Sequence, residues 1–177
     1  MPEEIEVPTE HLHEKMEEEA HHGGKWIARV AVSSALLAVC AAISALLAGH
    51  YANDAMLEEM QATDQWALYQ AKGIKGAVLQ SKIETLDALG KPPSAEDRAK
   101  PEKYEHEQKE IKEKADELEQ GSNAHMVHHG AFARAVTIFQ IAIALGAIAV
   151  LARRPKLWFV SLGAGALGLV FLVQGLV

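Results

Sequence analysis

With 24 acidic and 17 basic side chains in 177 residues, the chain carries a formal charge of −7, and 49% of its residues are apolar. An acidic balance without a basic patch excludes a nucleic-acid binder held by phosphate contacts, and a single cysteine, Cys40, excludes an intrachain disulfide. The apolar fraction suits a soluble domain, but its distribution does not.

Three runs, Val30 to Ala48, Ala135 to Ala152 and Leu157 to Val177, carry no ionisable side chain except Cys40. As helices rising about 1.5 Å per residue they measure roughly 27 to 32 Å, the thickness of a bilayer's hydrocarbon core. Three buried core helices apolar on every side are rarely needed by a soluble protein of this size, so the runs read as membrane spans.

Residues 1–25 hold eight acids and two lysines, with Pro2 and Pro8 near the start. Disorder is expected over 1–8, then a short helix capped by Thr9, running to about His22 and ended by Gly23-Gly24. This acidic, histidine-rich stretch is unlike the short basic start of a secretory signal, so the first span is expected to be an uncleaved anchor. Lys25, Trp26 and Arg29 form its interfacial entry. Within the span Ser34, Ala38, Ala42 and Ala45, with Ala41 and Gly49 beside them, make a small-residue stripe expected to pack on protein. Cys40 reads as a packing residue among them.

Nothing after Gly49 forces the helix to stop. Tyr51 to Leu89 lacks proline, and Met56, Met60, Ala67, Ala71, Ile74 and Val78 keep apolar or small residues on one face. Gly73 and Gly76, each costing about 1 kcal/mol relative to alanine in a helix, point to a close backbone contact or a local kink. Gly90-Lys91-Pro92-Pro93-Ser94 is the strong turn, and the returning helix begins at Ser94 or Pro101. There Tyr104, Gln108, Ile111, Ala115 and Leu118 follow steps of four and three, the seam of a coiled coil. The same steps reach Ser122, His125, His129 and Phe132, with Gly121-Ser122-Asn123 as the place where the helix could break. After the second span come the basic turn Arg153-Arg154-Pro155-Lys156 and the interfacial Trp158. In the third span Ser161 with Gly165, and Ala164 with Gly168, mark helix contact surfaces.

The expected fold is therefore an all-α membrane protein. Transmembrane helices fall at 26–49, 131–152 and 157–177, and a polar antiparallel helical hairpin, coiled-coil-like and outside the membrane, covers 50–130 with its turn at 90–94. Lys15, Lys25 and Arg29 precede the first span, and Arg153, Arg154 and Lys156 join the last two, whereas no base lies between Gly49 and Ala71. The positive-inside rule then places the N-terminus and the basic turn in the cytoplasm, and the hairpin and C-terminus on the far side.

Histidine is the chemically suggestive residue. His125, His128 and His129 have one-turn spacing, and His50 is expected at the same depth on the neighbouring helix, with Asp54 nearby. A divalent-metal site at His50, His125, His128 and His129 is one reading; interfacial histidines filling the seam or facing water is the other. His13, Glu17 and His21 share a face in the tail, but on the opposite side of the membrane. No nucleophile with its base, glycine-rich phosphate loop or cysteine cage is present, and the spans offer only Gln140 and Gln174 to an ion path. The expected protein is thus non-enzymatic and without a resident cofactor.

The run Asp64-Gln65-Trp66-Ala67-Leu68-Tyr69-Gln70-Ala71-Lys72-Gly73-Ile74-Lys75 resembles the bacterial membrane family called domain of unknown function 4337. The resemblance spans nearly the whole chain, with Gly73 standing where serine or another polar residue is expected. It implies a bacterial cytoplasmic-membrane location and carries no activity. Trp66, Tyr69, Gln70 and Gly73, together with Tyr104, Ile111 and Leu118, are the candidate interaction residues, serving hairpin packing or a partner's groove. The leading expectation is an assembly or interaction module that acts through its hairpin. Its partners would be the lipid bilayer and copies of itself or another membrane protein. Metal sensing through the juxtamembrane histidines, or a small oligomeric channel or transporter, are the alternatives.

Overall fold

The computed structural model describes residues 25–177, so the readings made on the tail, including its short helix and its histidines, lie outside the described residues. Three helices account for nearly all of these: α1, Lys25–Ala88 (64 residues), α2, Ala95–Leu151 (57 residues), and α3, Pro155–Leu176 (22 residues). No strand occurs among the described residues. Each helix contains a stretch long and apolar enough to cross a membrane.

The boundaries follow from local chemistry. α1 has no proline and runs until Gly90, whose φ of 68° is the left-handed geometry that glycine adopts without a Cβ penalty. Lys91 N donates to Leu86 O at 2.9 Å and Gly90 N to Asp87 O at 3.0 Å, the paired bonds of a Schellman ending. Pro92 and Pro93 then prevent resumption. Ser94 caps α2, its Oγ accepting from Asp97 N at 3.0 Å, with Glu96 and Asp97 suiting the positive end of the helix dipole. The returning helix therefore starts at Ala95, and Pro101 lies inside it. It passes through Gly121-Ser122-Asn123 without a break. At the next turn Arg154 N donates to Ala149 O at 3.0 Å around Arg153, which takes φ 52° without being glycine. Pro155 then opens α3 with its φ already set for a helix.

The described chain divides into two compact units, one formed by the residues before Ala52 and after Met126, the other by Ala52–Met126. In the first, α1 buries Ile27, Val30, Ser34, Leu37, Ala41, Ser44 and Ala48, in alternating steps of three and four. α3 buries Ser161, Gly165, Gly168 and Gly175, again in steps of three and four once the half-buried Leu172 is counted. Large side chains enter the spaces that the glycines leave: Leu37 lies against Gly165, Phe139 against Gly168 and Phe132 against Gly175. Leu37, Ala41, Ala135, Phe139, Ala142 and Ile143 form the main core, with Cys40 packed beside it. Trp26 and Trp158 pack against a second cluster of Ile27, Val30, Ala147 and Val150. Polar contacts also tie the helices, among them Ser161 Oγ donating to Ala142 O at 2.6 Å and Trp158 Nε1 to Ser33 Oγ at 3.1 Å.

The expected stripe on the first span needs correction. Ser34 and Ala41 are buried and Ala38 is half-buried, but Ala42, Ala45 and Gly49 are exposed. The contact row runs through Leu37, Ser44 and Ala48 instead. A step of one residue turns a helix by about 100°, so neighbouring small residues need not share a face.

Close packing at the α3 glycines makes a testable difference. An alanine Cβ at Gly168 would approach the Phe139 ring to 2.7 Å, whereas one at Gly163 meets nothing within 4 Å. Gly168→Ala is expected to destabilise the bundle by about 1 to 3 kcal/mol and Gly163→Ala to cost nothing, or to stabilise it by up to about 1 kcal/mol, as read from thermal unfolding in detergent.

Candidate interaction surface

The second unit holds most of the candidate interaction residues. Along α1 the half-buried or buried positions are Ala55, Glu58, Ala62, Gln65, Tyr69, Lys72, Gly76, Leu79, Ile83 and Leu86. These are steps of three and four again, a heptad row led by alanine. α2 supplies Tyr104, Gln108, Ile111, Ala115, Leu118 and Ser122, all buried or half-buried. Ala55, Ala62 and Ala115 are 2% exposed or less. Side chains this small let two helices approach closely, which is why polar groups can finish the contact from either side.

They do so along the whole length of the unit. Trp66 Nε1 donates to Glu119 Oε1 at 2.6 Å, and its ring meets Tyr69 edge-on with centroids 5.6 Å apart. Gln108 Nε2 donates to Tyr69 O at 3.1 Å; it lies against Gly73, where a Cβ would come within 2.8 Å of it. Gly73 is thus the close approach that its sequence position suggests, while a Cβ on Gly76 would meet nothing. Lys72 bonds Glu107 and stands 5.3 Å from the Tyr104 ring centre. Lys82 Nζ bonds Asp97 Oδ2 at 2.8 Å. Partner numbers on α2 fall as those on α1 rise. Of the candidates, Trp66, Tyr69, Gly73 and Tyr104 are brought together here, with Ile111 and Leu118 on the same contact row; Gln70 is exposed.

Two carboxylates respond to these contacts. The hydrogen bond from Lys72 holds the Glu107 carboxyl below its ordinary pKa, and those from Lys82 and Ser94 do the same for Asp97. Near Met126, the Glu58 carboxylate lies over Gly121, where a Cβ would meet Oε2 at 2.5 Å, and Glu58 Oε1 is 3.6 Å from His125 Nε2.

The candidate metal residues divide between the units. His125 belongs to the second, while His50, His128 and His129 belong to the first. His128 Nδ1 is 2.9 Å from Gly175 O, and its ring stacks on Tyr51 with centroids 4.9 Å apart. His129 Nδ1 is 2.9 Å from Ala48 O, and the His50 ring is 5.5 Å from that of Tyr51. A carbonyl oxygen only accepts, so both imidazoles place a proton on Nδ1. Among the described residues no group of three or more histidine, cysteine or acidic side chains is placed to hold a metal ion.

The outward side of α1 in this unit is the feature that the choice of candidates passed over. Met56, Met60, Ile74 and Val78 are 64%, 65%, 65% and 65% exposed, whereas Ala55 and Ala62, one or two positions away, are 2% and 1% exposed. The face was visible as an apolar row; its being unoccupied was not. On α2 the corresponding outward positions, among them Glu102, Lys103, Glu105, Lys109, Glu110 and Glu113, are charged.

These features define an all-helical protein with three helices able to cross a membrane and a polar unit built on small-residue helix contacts. The chain belongs to the family described as Domain of unknown function (DUF4337), whose model matches residues 26–177. No curated protein and no solved structure matches it.

Because both carboxyl pKa values are depressed in the folded state, their stabilisation is complete above the pKa of the unfolded chain and is lost as pH falls through the depressed folded value. Acidification below the ordinary carboxylate range is expected to loosen the Ala52–Met126 unit, seen as faster amide exchange there; Glu107→Gln should remove its share of that pH dependence. Trp66→Phe deletes the donor to Glu119 and is expected to cost about 1 kcal/mol, measured by chemical denaturation.

Proposed function

We propose that this is a non-enzymatic integral membrane protein of the bacterial cytoplasmic membrane, whose polar antiparallel hairpin is an assembly module. The observation that carries the reading is the contrast on α1. Alanines face α2, while Met56, Met60, Ile74 and Val78 face outward. In a polar region, large apolar side chains left in a row beside buried alanines mark a surface that is covered in the assembled protein. The hairpin's own contacts, from Trp66 with Glu119 to Lys82 with Asp97, support a scaffold that presents this row outward.

The membrane assignment rests on the three apolar helices. Its orientation rests on charge: Lys15, Lys25 and Arg29 before the first span, and Arg153, Arg154 and Lys156 between the last two, retain those segments in the cytoplasm. The hairpin and the C-terminus then lie outside the cytoplasm, and the membrane partner is a copy of the chain or another membrane protein.

Two measurements check this reading. Alkaline phosphatase inserted near Ser94 should be active, and the same reporter at the Arg153-Arg154 turn inactive; the reverse pattern refutes the orientation. The mass of the protein in native nanodiscs should exceed that of one chain, and a strict monomer with no co-purifying protein would refute the assembly role.

A further inference from the structure

If the hairpin is an assembly module, as proposed above, the outward row of α1 has an occupant. The row comprises Met56, Met60, Thr63, Ala67, Ala71, Ile74 and Val78, all exposed and spaced by steps of three and four. Such spacing fits a second helix along its length. The charges beside it are segregated. Asp54, Glu58, Glu59 and Asp64 occur with no base among them, and Lys72, Lys75 and Lys82 follow with no acid among them. Asp64 and Lys75 are both exposed, and neither forms an ion pair among the described residues. They are eleven residues apart, three turns, and so lie on the same flank of the row.

We propose that the row is covered by the same row of a second copy, with the two α1 segments antiparallel. A two-fold axis across the pair brings each flank against its own counterpart, so Asp64 of each copy meets Lys75 of the other, twice per dimer. In that register Met60 faces Val78 and Ala67 faces Ala71. Parallel pairing fits less well, because it turns the Asp64 flank toward the Glu59 flank and opposes acid to acid.

The antiparallel arms overlap from Ala52 to Leu86. That is about 51 Å of helix, and a strip about 10 Å wide buries roughly 1,000 Å² in all, the lower bound for a specific interface. The association is therefore modest and weakened by salt.

The test uses the full chain in detergent, where copies meet in either direction, with Cys40→Ala as background. Chains bearing Met60→Cys are mixed with chains bearing Val78→Cys and treated with a short thiol crosslinker. A 60-to-78 product is expected. Asp64→Lys should reduce it roughly tenfold, the scale of losing two exposed ion pairs and adding repulsion, and Asp64→Lys with Lys75→Asp in the same chain should restore it. A 60-to-60 product overturns the antiparallel pairing and leaves assembly standing. Crosslinking only to a different protein overturns the second copy as occupant, again leaving assembly standing. A strict monomer with no crosslink ends both readings. Restoration by the charge swap cannot come from a merely misfolded variant.

Discussion

Close approach between helices is the constraint on which the rest of the structure depends. Glycine, alanine and serine occupy the contact rows of all three helices, and each replaces a side chain that would hold the backbones apart. In the apolar unit this matters because lipid tails are as apolar as leucine, so burying hydrocarbon offers little drive for helices to associate; packing and interhelical hydrogen bonds must supply it. Gly165, Gly168 and Gly175 create the recesses, Leu37, Phe139 and Phe132 fill them, and Ser161 closes the contact by bonding Ala142 O.

The polar unit applies the same rule in different surroundings. Ala55, Ala62 and Ala115 set the helix separation, and at that separation the longer side chains have to reach around the seam rather than through it. Trp66 thus reaches Glu119, and Lys72 reaches Glu107 while standing near the Tyr104 ring. Exposed ion pairs contribute little singly. Here the charges chiefly select the register in which the alanines meet, since a slip would separate several pairs at once. Small inner side chains also leave the larger apolar ones of α1 on the outside, which connects the internal packing to the assembly proposed above.

The histidines show how the same residue type serves different ends. His128 and His129 follow each other on α2, so their rings leave the helix about 100° apart. One meets Gly175 O near the end of α3 and the other Ala48 O on α1. Both act as polar links between helices of the apolar unit. His125 instead stands beside Glu58 and belongs to the polar unit.

Much of the architecture was legible in the residues themselves. Three long apolar runs, the Gly90 to Ser94 turn and the basic turn at Arg153 determine the helices, because length, proline and a left-handed glycine act locally. The returning seam from Tyr104 to Ser122 was legible too, since its apolar and small positions stand out from the charges between them. On the outgoing arm, two rows one residue apart both satisfied helical spacing. Composition favoured Met56, Met60, Ile74 and Val78 over Ala55 and Ala62, as it favoured the row through Ala42 and Ala45 over the one through Leu37 and Ser44. Which row faces the neighbouring helix depends on how closely the backbones come together, a property of the packed pair rather than of either strand of sequence. Only the tertiary structure decided that the alanines go inside, and with it where the unoccupied apolar row lies.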